Sequence, residues 1–243
     1  MGQSYFIWNG KDCRSMGVRL SGPAAIIRGE ERVQHVTIPG RSGELTLTEG
    51  EDIYQSYIQT VTIQVRGWNN VRNVQNWLKG SGTVTFSGEP DRRQKARVIG
   101  AVTLNKHSKN LDVWVGECQF YCEPMKEKLQ PAKITLTTTG TTVRNDGDVT
   151  AKPIWRLEAN NSVSFSIVTN ASGSPEINTF TVECVNEHVY RIDSENMIII
   201  DETTGGNVTK DSSGDFPVLK KGANTVGFSG TGEIEIDKRE RFL

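Results

Sequence analysis

The amino-acid sequence predicts a mainly β protein organised in two domains. Short segments in which apolar and polar residues alternate recur along the chain and are separated by turn clusters, a pattern typical of strands. Twenty-four glycines against four methionines favour a turn-rich architecture over a helical one. At 243 residues the chain is long enough for one large or two modest domains, each with its own core.

Alternating segments dominate the first half of the chain. SYFIWNG is predicted to be an apolar strand that ends in an Asn-Gly turn, with KDCRSMGVRLSG as a second short segment. Two further strands are predicted in ERVQHVTIPG and from Glu44 to Thr48, on either side of a glycine-containing turn. A long strand from Tyr57 to Arg66 is expected to turn one apolar face inward, formed by Tyr57, Val61, Ile63 and Val65.

One helix is predicted, in NNVRNVQNWLKG, and at about ten residues it must dock on a sheet to be stable. Its expected apolar positions are Val71, Val74, Trp77 and Leu78. Asn69 or Asn70 is the expected N-cap, Lys79 is expected in the last turn, and Gly80 follows the end.

The first half is predicted to end in a hairpin. Strand TVTFSG and the turn EPDRRQ precede it; it runs from Ala96 to Leu104 and returns from Leu111 to Cys122. Segment 123–131, EPMKEKLQP, is charged, bounded by prolines and without a clear pattern. We therefore expect the domain boundary there, giving domains 1–130 and 131–243.

The two halves differ in charge, which supports this division. Residues 1–130 carry 17 Lys and Arg against 13 Asp and Glu, and the remainder carries 11 against 16. In the second half, short strands are predicted in segments separated by turn clusters, a spacing that fits a two-sheet sandwich. KITLTTTGTTVRNDGDVTAKPIWRLEA is predicted to be strand, turn and strand, with the turn at Asn145 to Asp148. The further short strands are SVSFSIV, TFTVECV, HVYRID, MIII, NTVGFSG and GEIEID.

Composition argues against several classes of protein. A net charge of −1 disfavours a dedicated nucleic-acid binder, and no apolar run is long enough for a membrane helix. The first residues lack the features of a secretory signal, so the chain is expected to remain in the cytoplasm or to leave by another route. Cys118 and Cys122 are too far apart along a strand for a disulfide, and buried free thiols are expected.

The candidate catalytic and binding residues can each be explained by a structural role. Ser42 fits a nucleophile elbow only in part, because Glu44 replaces the last glycine and a strand follows where a helix is required. Arg41 and Glu44 could form a salt bridge within the chain or across to a neighbouring chain, and in the isolated chain a local surface pair is expected. Trp155 and Tyr190 could be sugar platforms, but their place in alternating segments favours the core.

Acidic residues around MIII and in DSSGD do not follow the order of a calcium loop. Asp193, Glu195, Asp201 and Glu202 are therefore expected to be solvated strand ends, and DSSGD a turn. No catalytic residue, metal site or cofactor is predicted, and the chain is not expected to be an enzyme.

The order of several segments resembles the distal tail protein (Dit) family of long, non-contractile-tailed bacteriophages. In the first half the carrying segments are FIWNGKDCRSMGVRL, VTIPGRSGELTLTEG and WLKGSGTVTFSGEPDRRQKARVIG. In the second half they are NDGDVTAKPIWRLE, RIDSENM and DFPVLKKGANTVGFSGTGEIEIDKRERFL. The resemblance extends over nearly the whole chain, and the order and spacing of these segments carry it.

This resemblance implies an N-terminal tail-tube-like split β-barrel with one helix and a C-terminal galectin-like β-sandwich. It implies a structural hub of a phage or prophage tail tip, in the virion, assembled in the cytoplasm of the bacterial host. Family members form a hexameric ring that joins the tail tube protein to the tail-associated lysin or fibre-bearing hub. The channel of that ring passes the tape measure protein and DNA without specific nucleic-acid binding, and no membrane is involved.

Within this resemblance, IPGRSGELTLTEG is interpreted as a hairpin arm that pairs with the adjacent subunit. The residues predicted to lie between subunits are Ile38, Pro39, Gly40, Arg41, Gly43, Glu44, Leu45, Leu47, Glu49 and Asp52. Two other hypotheses remain open: a monomeric carbohydrate-binding β-sandwich, and a hydrolase that uses Ser42 or the acidic group.

Overall fold

A computed structural model describes residues 4–160, 164–171 and 177–243. The chain forms two compact units, Met1–Leu129 with Leu243, and Gln130–Phe242. Strands dominate both units, which confirms the mainly β prediction. In the described residues, no helix has the length and apolar character needed to cross a membrane.

The first unit is a curled antiparallel sheet that forms a half-barrel around one helix. Its strands are β1 (Phe6–Trp8), β2 (Lys11–Asp12), β3 (Val18–Leu20), β4 (Val33–Thr37), β5 (Glu44–Thr48), β6 (Tyr57–Arg66), β7 (Ser81–Phe86), β8 (Arg92–Ile99), β9 (Leu104–Lys106) and β10 (Val113–Lys128). The helix is α1 (Trp68–Trp77), and a 3-10 turn covers Cys13–Met16. The strand order is β2-β1-β7-β8-β10-β6-β3; β9 pairs with β10, and β4 and β5 form a separate two-stranded sheet.

The core of the first unit follows the predicted faces. Val61, Ile63 and Val65 of β6 are buried with Cys118, Phe120 and Cys122 of β10, as alternation predicts. α1 adds Val71 and Val74, and Leu78 follows at its C-terminal end; the rings of Trp77 and Phe6 stack with centroids 5.7 Å apart. The predicted Asn-Gly turn joins β1 to β2, with φ of 51° at Asn9 and 76° at Gly10.

The predicted N-cap of α1 is wrong. Gly67 precedes the helix, and Asn70, which lies inside it, donates its side-chain amide to the Arg66 carbonyl instead. The exposed Trp68 amide is bound by the Asp112 carboxylate at 3.2 Å, from the β9–β10 hairpin. Lys79 was also misplaced, because the helix ends at Trp77. A cap supplied by a residue distant in sequence leaves no local signal.

Segment 123–131 is not the patternless linker that the sequence suggests. β10 continues through it to Lys128, with a register shift against β8 between Cys122 and Lys126. Pro124 lies within that irregular stretch, where a missing backbone donor disrupts no regular ladder.

The second unit contains two antiparallel sheets that share one core, as expected of a sandwich. The first sheet has the order β11-β21-β13-β16-β17-β18, from β11 (Lys133–Leu136), β13 (Ile154–Ala159), β16 (Val189–Asp193), β17 (Ile198–Asp201), β18 (Gly206–Asn207) and β21 (Gly232–Asp237). The second has the order β12-β20-β14-β15-β19, from β12 (Thr141–Asn145), β14 (Ser164–Ala171), β15 (Ile177–Glu183), β19 (Ser212–Gly214) and β20 (Gly222–Ser229). A 3-10 turn covers Thr209–Asp211, and β22 is Arg241–Phe242.

Two local predictions in this unit need comment. DSSGD is not a simple turn, because Ser212–Gly214 forms the edge strand β19 against β15. Of the predicted strand SVSFSIV, residues 162–163 lie outside the described residues, and the rest belongs to β14. The galectin-like character of this unit stays a prediction.

Candidate functional site

The arm, defined here as residues 33–48, is a two-stranded hairpin made of β4, a turn and β5. Its register pairs Val33 with Thr48, Val36 with Leu45 and Thr37 with Glu44. In the turn, the Arg41 amide donates to the Ile38 carbonyl at 3.1 Å. Gly40 and Gly43 both have φ of 82°, a left-handed conformation that favours glycine and explains the two glycines of IPGRSG.

The two faces of the arm differ in chemistry because side chains alternate along each strand. One face, called the apolar face, carries Val36, Leu45 and Leu47, with Gln34 opposite Leu47. The opposite, polar face carries His35, Thr37, Glu44, Thr46 and Thr48, with Val33 opposite Thr48. The apolar face is open to solvent, with Leu47 46% and Val36 39% exposed.

The base of the arm is tied together by main-chain and side-chain bonds. The Arg32 amide donates to the Ile53 carbonyl at 3.0 Å, and the Gln55 amide donates to the Glu30 carbonyl at 2.8 Å. The Glu49 carboxylate accepts from the Gln34 side-chain amide at 2.8 Å and pairs with the Arg32 guanidinium at 2.9 Å. The strands therefore leave the unit in a defined register.

The structure brings all of the predicted inter-subunit residues to this one hairpin and its base. Ile38, Pro39, Gly40, Arg41 and Gly43 lie in the turn or next to it; Glu44, Leu45 and Leu47 lie on β5; Glu49 and Asp52 lie in the return segment. Their role between subunits stays a prediction. The expected pair of Arg41 with Glu44 is wrong: in the described structure Glu44 lies 3.7 Å from His35 instead.

Val36 was left out of the predicted site although it belongs to the same apolar face. The alternation of ERVQHVTIPG already placed it with Ile38, and the missing information was the strand register. Only the pairing of Val36 with Leu45 shows that β4 and β5 contribute jointly to one surface.

Ser42 shows no arrangement suited to catalysis. It lies exposed in the turn of the arm, and within the described residues no hydrogen bond joins its hydroxyl to a histidine or carboxylate. The strand β5 follows it, where a nucleophile elbow requires a helix.

The prediction of solvated acidic strand ends is correct for Glu202, which is exposed, and wrong for Asp193 and Asp201; Glu195 is half-buried. Asp193 and Asp201 are buried, and each accepts several hydrogen bonds from the turn that follows its strand. Asp201 Oδ2 also lies 2.8 Å from His188 Nδ1. These carboxylates organise tight turns, and no cluster among the described residues could hold a metal ion.

The aromatic residues considered as sugar platforms are core residues, as the alternation predicts. Trp155 and Tyr190 are buried, and the Trp155 indole donates to Ser194 Oγ at 3.1 Å and to the Pro217 carbonyl at 3.2 Å. The sequence analysis overlooked a pair of aromatic residues in the first unit, the exposed Trp68 and the half-buried Trp114. Trp68 is 62% exposed, and its ring centroid lies 5.3 Å from that of Trp114.

The four cysteines are buried free thiols, as expected. Burial raises the pKa of Cys118 and of Cys122 to about 12, and that of Cys184 to about 11. Thiols held in this state are poor nucleophiles and poor metal ligands at neutral pH.

A pocket beside the buried end of β10 is too small for a ligand. It has a volume of about 20 Å³, which is room for about one water molecule, and is lined among others by Tyr57, Gln94 and Lys126.

No family model matches the chain, and no curated protein matches its sequence. Solved structures do match its fold. One is the crystal structure of the Dit protein of phage SPP1, described as a paradigm of the hub adsorption apparatus in phages that infect Gram-positive bacteria. It has a TM-score of 0.79 and 17% identity, and the match covers 100% of both chains.

Two further matches come from the baseplate of phage P2 in its activated conformation, with Ca and with Sr. Their TM-scores are both 0.50, at 9% and 8% identity; the first covers 97% of this chain and 98% of the other, the second 96% and 97%. The chain thus has the fold of phage tail-tip hub and baseplate proteins. In particular, it is similar over its whole length to SPP1 Dit, and the resemblance read from the sequence is confirmed for the fold.

Proposed function

We propose that this protein is a structural hub of a phage tail tip, in which the arm of each subunit docks on the next to close a hexameric ring. The observation that carries the proposal is the arm itself. Among the residues that the structure describes, β4 and β5 pair only with each other, and their apolar face is exposed. An isolated two-stranded hairpin is marginal in water, so a partner surface would stabilise it.

A head-to-tail contact of this kind produces a closed ring when the rotation between subunits closes. Each subunit then both donates an arm and receives one. The six-fold number comes from the resemblance to the Dit family, and the match of the fold to SPP1 Dit over the complete chain supports it.

In this role the ring connects the tail tube to the tail-associated lysin or the fibre-bearing hub, and its channel passes the tape measure protein and DNA. The protein belongs to the virion and works by assembly, without a catalytic step. The fold shared with a protein described as a hub adsorption apparatus supports this placement. The burial of Trp155 and Tyr190 removes the aromatic platforms on which the carbohydrate-binding alternative depended.

Light scattering and negative-stain imaging of the purified protein test the proposal. We expect a mass near six times 26.9 kDa and ring-shaped particles, with more of them at high concentration. A double variant of the apolar face, Val36→Lys with Leu47→Lys, is expected to be a folded monomer, because each lysine would be buried in the interface without a partner charge.

The matched control places two lysines on the polar face of the same hairpin, Thr46→Lys with Thr48→Lys, and should still form rings. Exclusively monomeric wild-type protein, even with the neighbouring tail proteins added at high concentration, would refute the proposal. Intact rings from the apolar-face variant would refute the role of the arm.

A further inference from the structure

The strap, defined as residues 24–32, leads from the end of β3 toward the arm and lacks regular secondary structure except for a bridge from Glu31 to Tyr54. A segment of this kind would leave the arm loosely attached unless other contacts held it. It is held at two places by β10, the longest strand of the unit.

The first contact is made by Lys126, whose side chain is only 5% exposed. Its ammonium group donates to the Ile27 carbonyl of the strap at 2.9 Å and to the Glu89 carboxylate at 2.7 Å. A lysine buried to this degree is costly unless it is paired and hydrogen-bonded. Here both partners are present, and one of them is the strap backbone.

Glu89 also accepts from Arg92 at 2.9 Å, so its charge has a second partner. Removing the Lys126 ammonium would therefore leave the Glu89 carboxylate paired. The Ile27 carbonyl of the strap, by contrast, would lose the Lys126 ammonium as its hydrogen-bond donor.

The second contact is steric. A Cβ atom on Gly29 would lie 2.8 Å from Pro124 Cβ and 3.5 Å from Tyr54 Cβ. The strap thus passes against the irregular stretch of β10 on one side and the return segment of the arm on the other. Gly29 does not adopt a positive φ, so its backbone conformation does not require glycine. The short distance to Pro124 explains why a side chain is unfavourable at this position.

We propose that Lys126 and Gly29 are positioning residues that fix the base of the arm on the half-barrel, so that subunits dock with a pre-ordered arm. This inference rests on the proposed function in so far as the arm is the docking element. The physical reason is preorganisation: an arm whose base is already ordered loses less conformational entropy on docking than a mobile one.

Amide hydrogen exchange of the full-length chain tests the anchoring, measured in the background of Val36→Lys with Leu47→Lys so that subunit contacts contribute nothing. The reporters are the Arg32 and Gln55 amides, whose bonds close the base of the arm. Lys126→Met and Gly29→Ala should each raise their exchange rates roughly tenfold or more, while the amides of β6 stay protected.

Two matched controls accompany these variants. Lys95→Met removes an exposed lysine from β8 of the same unit. Gly22→Ala adds a methyl group just before the strap, where no atom lies within 4 Å and φ is not positive. Neither control should change exchange at Arg32 or Gln55.

Ring assembly with the native arm sequence tests the consequence. Lys126→Met and Gly29→Ala should raise the chain concentration needed for half-assembly by roughly tenfold or more, and the two controls should not. Faster exchange of the β6 amides in Lys126→Met would mean that this variant destabilises the half-barrel itself. The test of anchoring then depends on Gly29→Ala, which changes no charge.

Unchanged exchange in both variants overturns the anchoring, whatever the wild type assembles into. Faster exchange with normal ring assembly overturns the positioning role but leaves the proposed ring intact. A wild type that never assembles refutes the ring, and the positioning role with it, while the exchange data still report whether the strap is anchored.

Discussion

Val36 and Leu45 are direct cross-strand partners in the arm, on the face that also carries Leu47. Both strands of the hairpin therefore contribute to one apolar surface, which has no third strand or helix against it within the described residues. A surface of this kind is unfavourable in water and favourable against a partner, which links the local register of the hairpin to the proposed assembly.

The buried indole of Trp155 should contribute to stability and not to ligand binding. Trp155→Phe removes the hydrogen bonds to Ser194 and Pro217 and leaves a cavity in the core of the second unit. We expect a loss of about 1–3 kcal/mol in the free energy of unfolding, measured by urea denaturation.

The exposed Trp68 is the natural control for this prediction. Trp68→Phe should change the free energy of unfolding by less than about 0.5 kcal/mol, because most of the ring already contacts solvent. Equal losses in the two variants would contradict the assignment of Trp155 to the core. Loss of glycan binding in Trp155→Phe at unchanged stability would revive the carbohydrate-binding alternative.

Asp201 should make stability depend on pH in the acidic range. Burial raises the pKa of Asp201, but hydrogen bonds from Thr204, His188 and the backbone amide of Thr203 together outweigh it and hold the pKa below its ordinary value of 3.8. A carboxylate whose pKa is lower in the folded than in the unfolded state stabilises the fold above the unfolded pKa. That contribution is lost as the pH falls through the folded pKa.

Asp201→Asn should therefore be less stable than the wild type at pH 7, and the difference should shrink as the pH falls below about 4. Urea denaturation between pH 7 and pH 2 measures this difference. Glu233→Gln, at an exposed position of β21, controls for the loss of one negative charge. A difference that grows toward low pH would show the sign to be wrong.

The thiols should be inert until the protein unfolds. Burial raises the pKa of Cys118 and Cys122 to about 12, which keeps them protonated at neutral pH, and Cys13 and Cys184 are buried as well. Reaction with Ellman's reagent should be at least about a hundredfold slower in the native protein than in urea, where all four cysteines react. Rapid labelling of any cysteine in the native state would place that residue at the surface.

The alternation of apolar and polar residues predicted most of the strands and their buried faces, because it depends only on neighbouring residues. In β6, alternation named the buried face correctly because each side chain points to the face opposite its neighbours. The same rule located β4 and β5 and the glycines of their turn. It could not show that Val36 and Leu45 are partners, since register depends on two segments at once.

The errors concern residues whose partners are far away in sequence. Asn69 and Asn70 are reasonable N-caps by local rules, but Asp112 binds the first amide of α1 from another hairpin. The charged segment around Lys126 shows no strand pattern in the sequence, because the burial of this lysine depends on two distant partners, Glu89 and the Ile27 carbonyl.

By itself, the sequence determined the mainly β class, the apolar faces of its strands and the position of a glycine-turned hairpin, because these depend on residues within a few positions of one another. Only the tertiary structure decided which carboxylates are buried, which strand continues past a charged segment, and what holds the base of the arm. Those outcomes depend on hydrogen bonds and ion pairs between distant segments, whose energies exist only once the chain has brought the partners together.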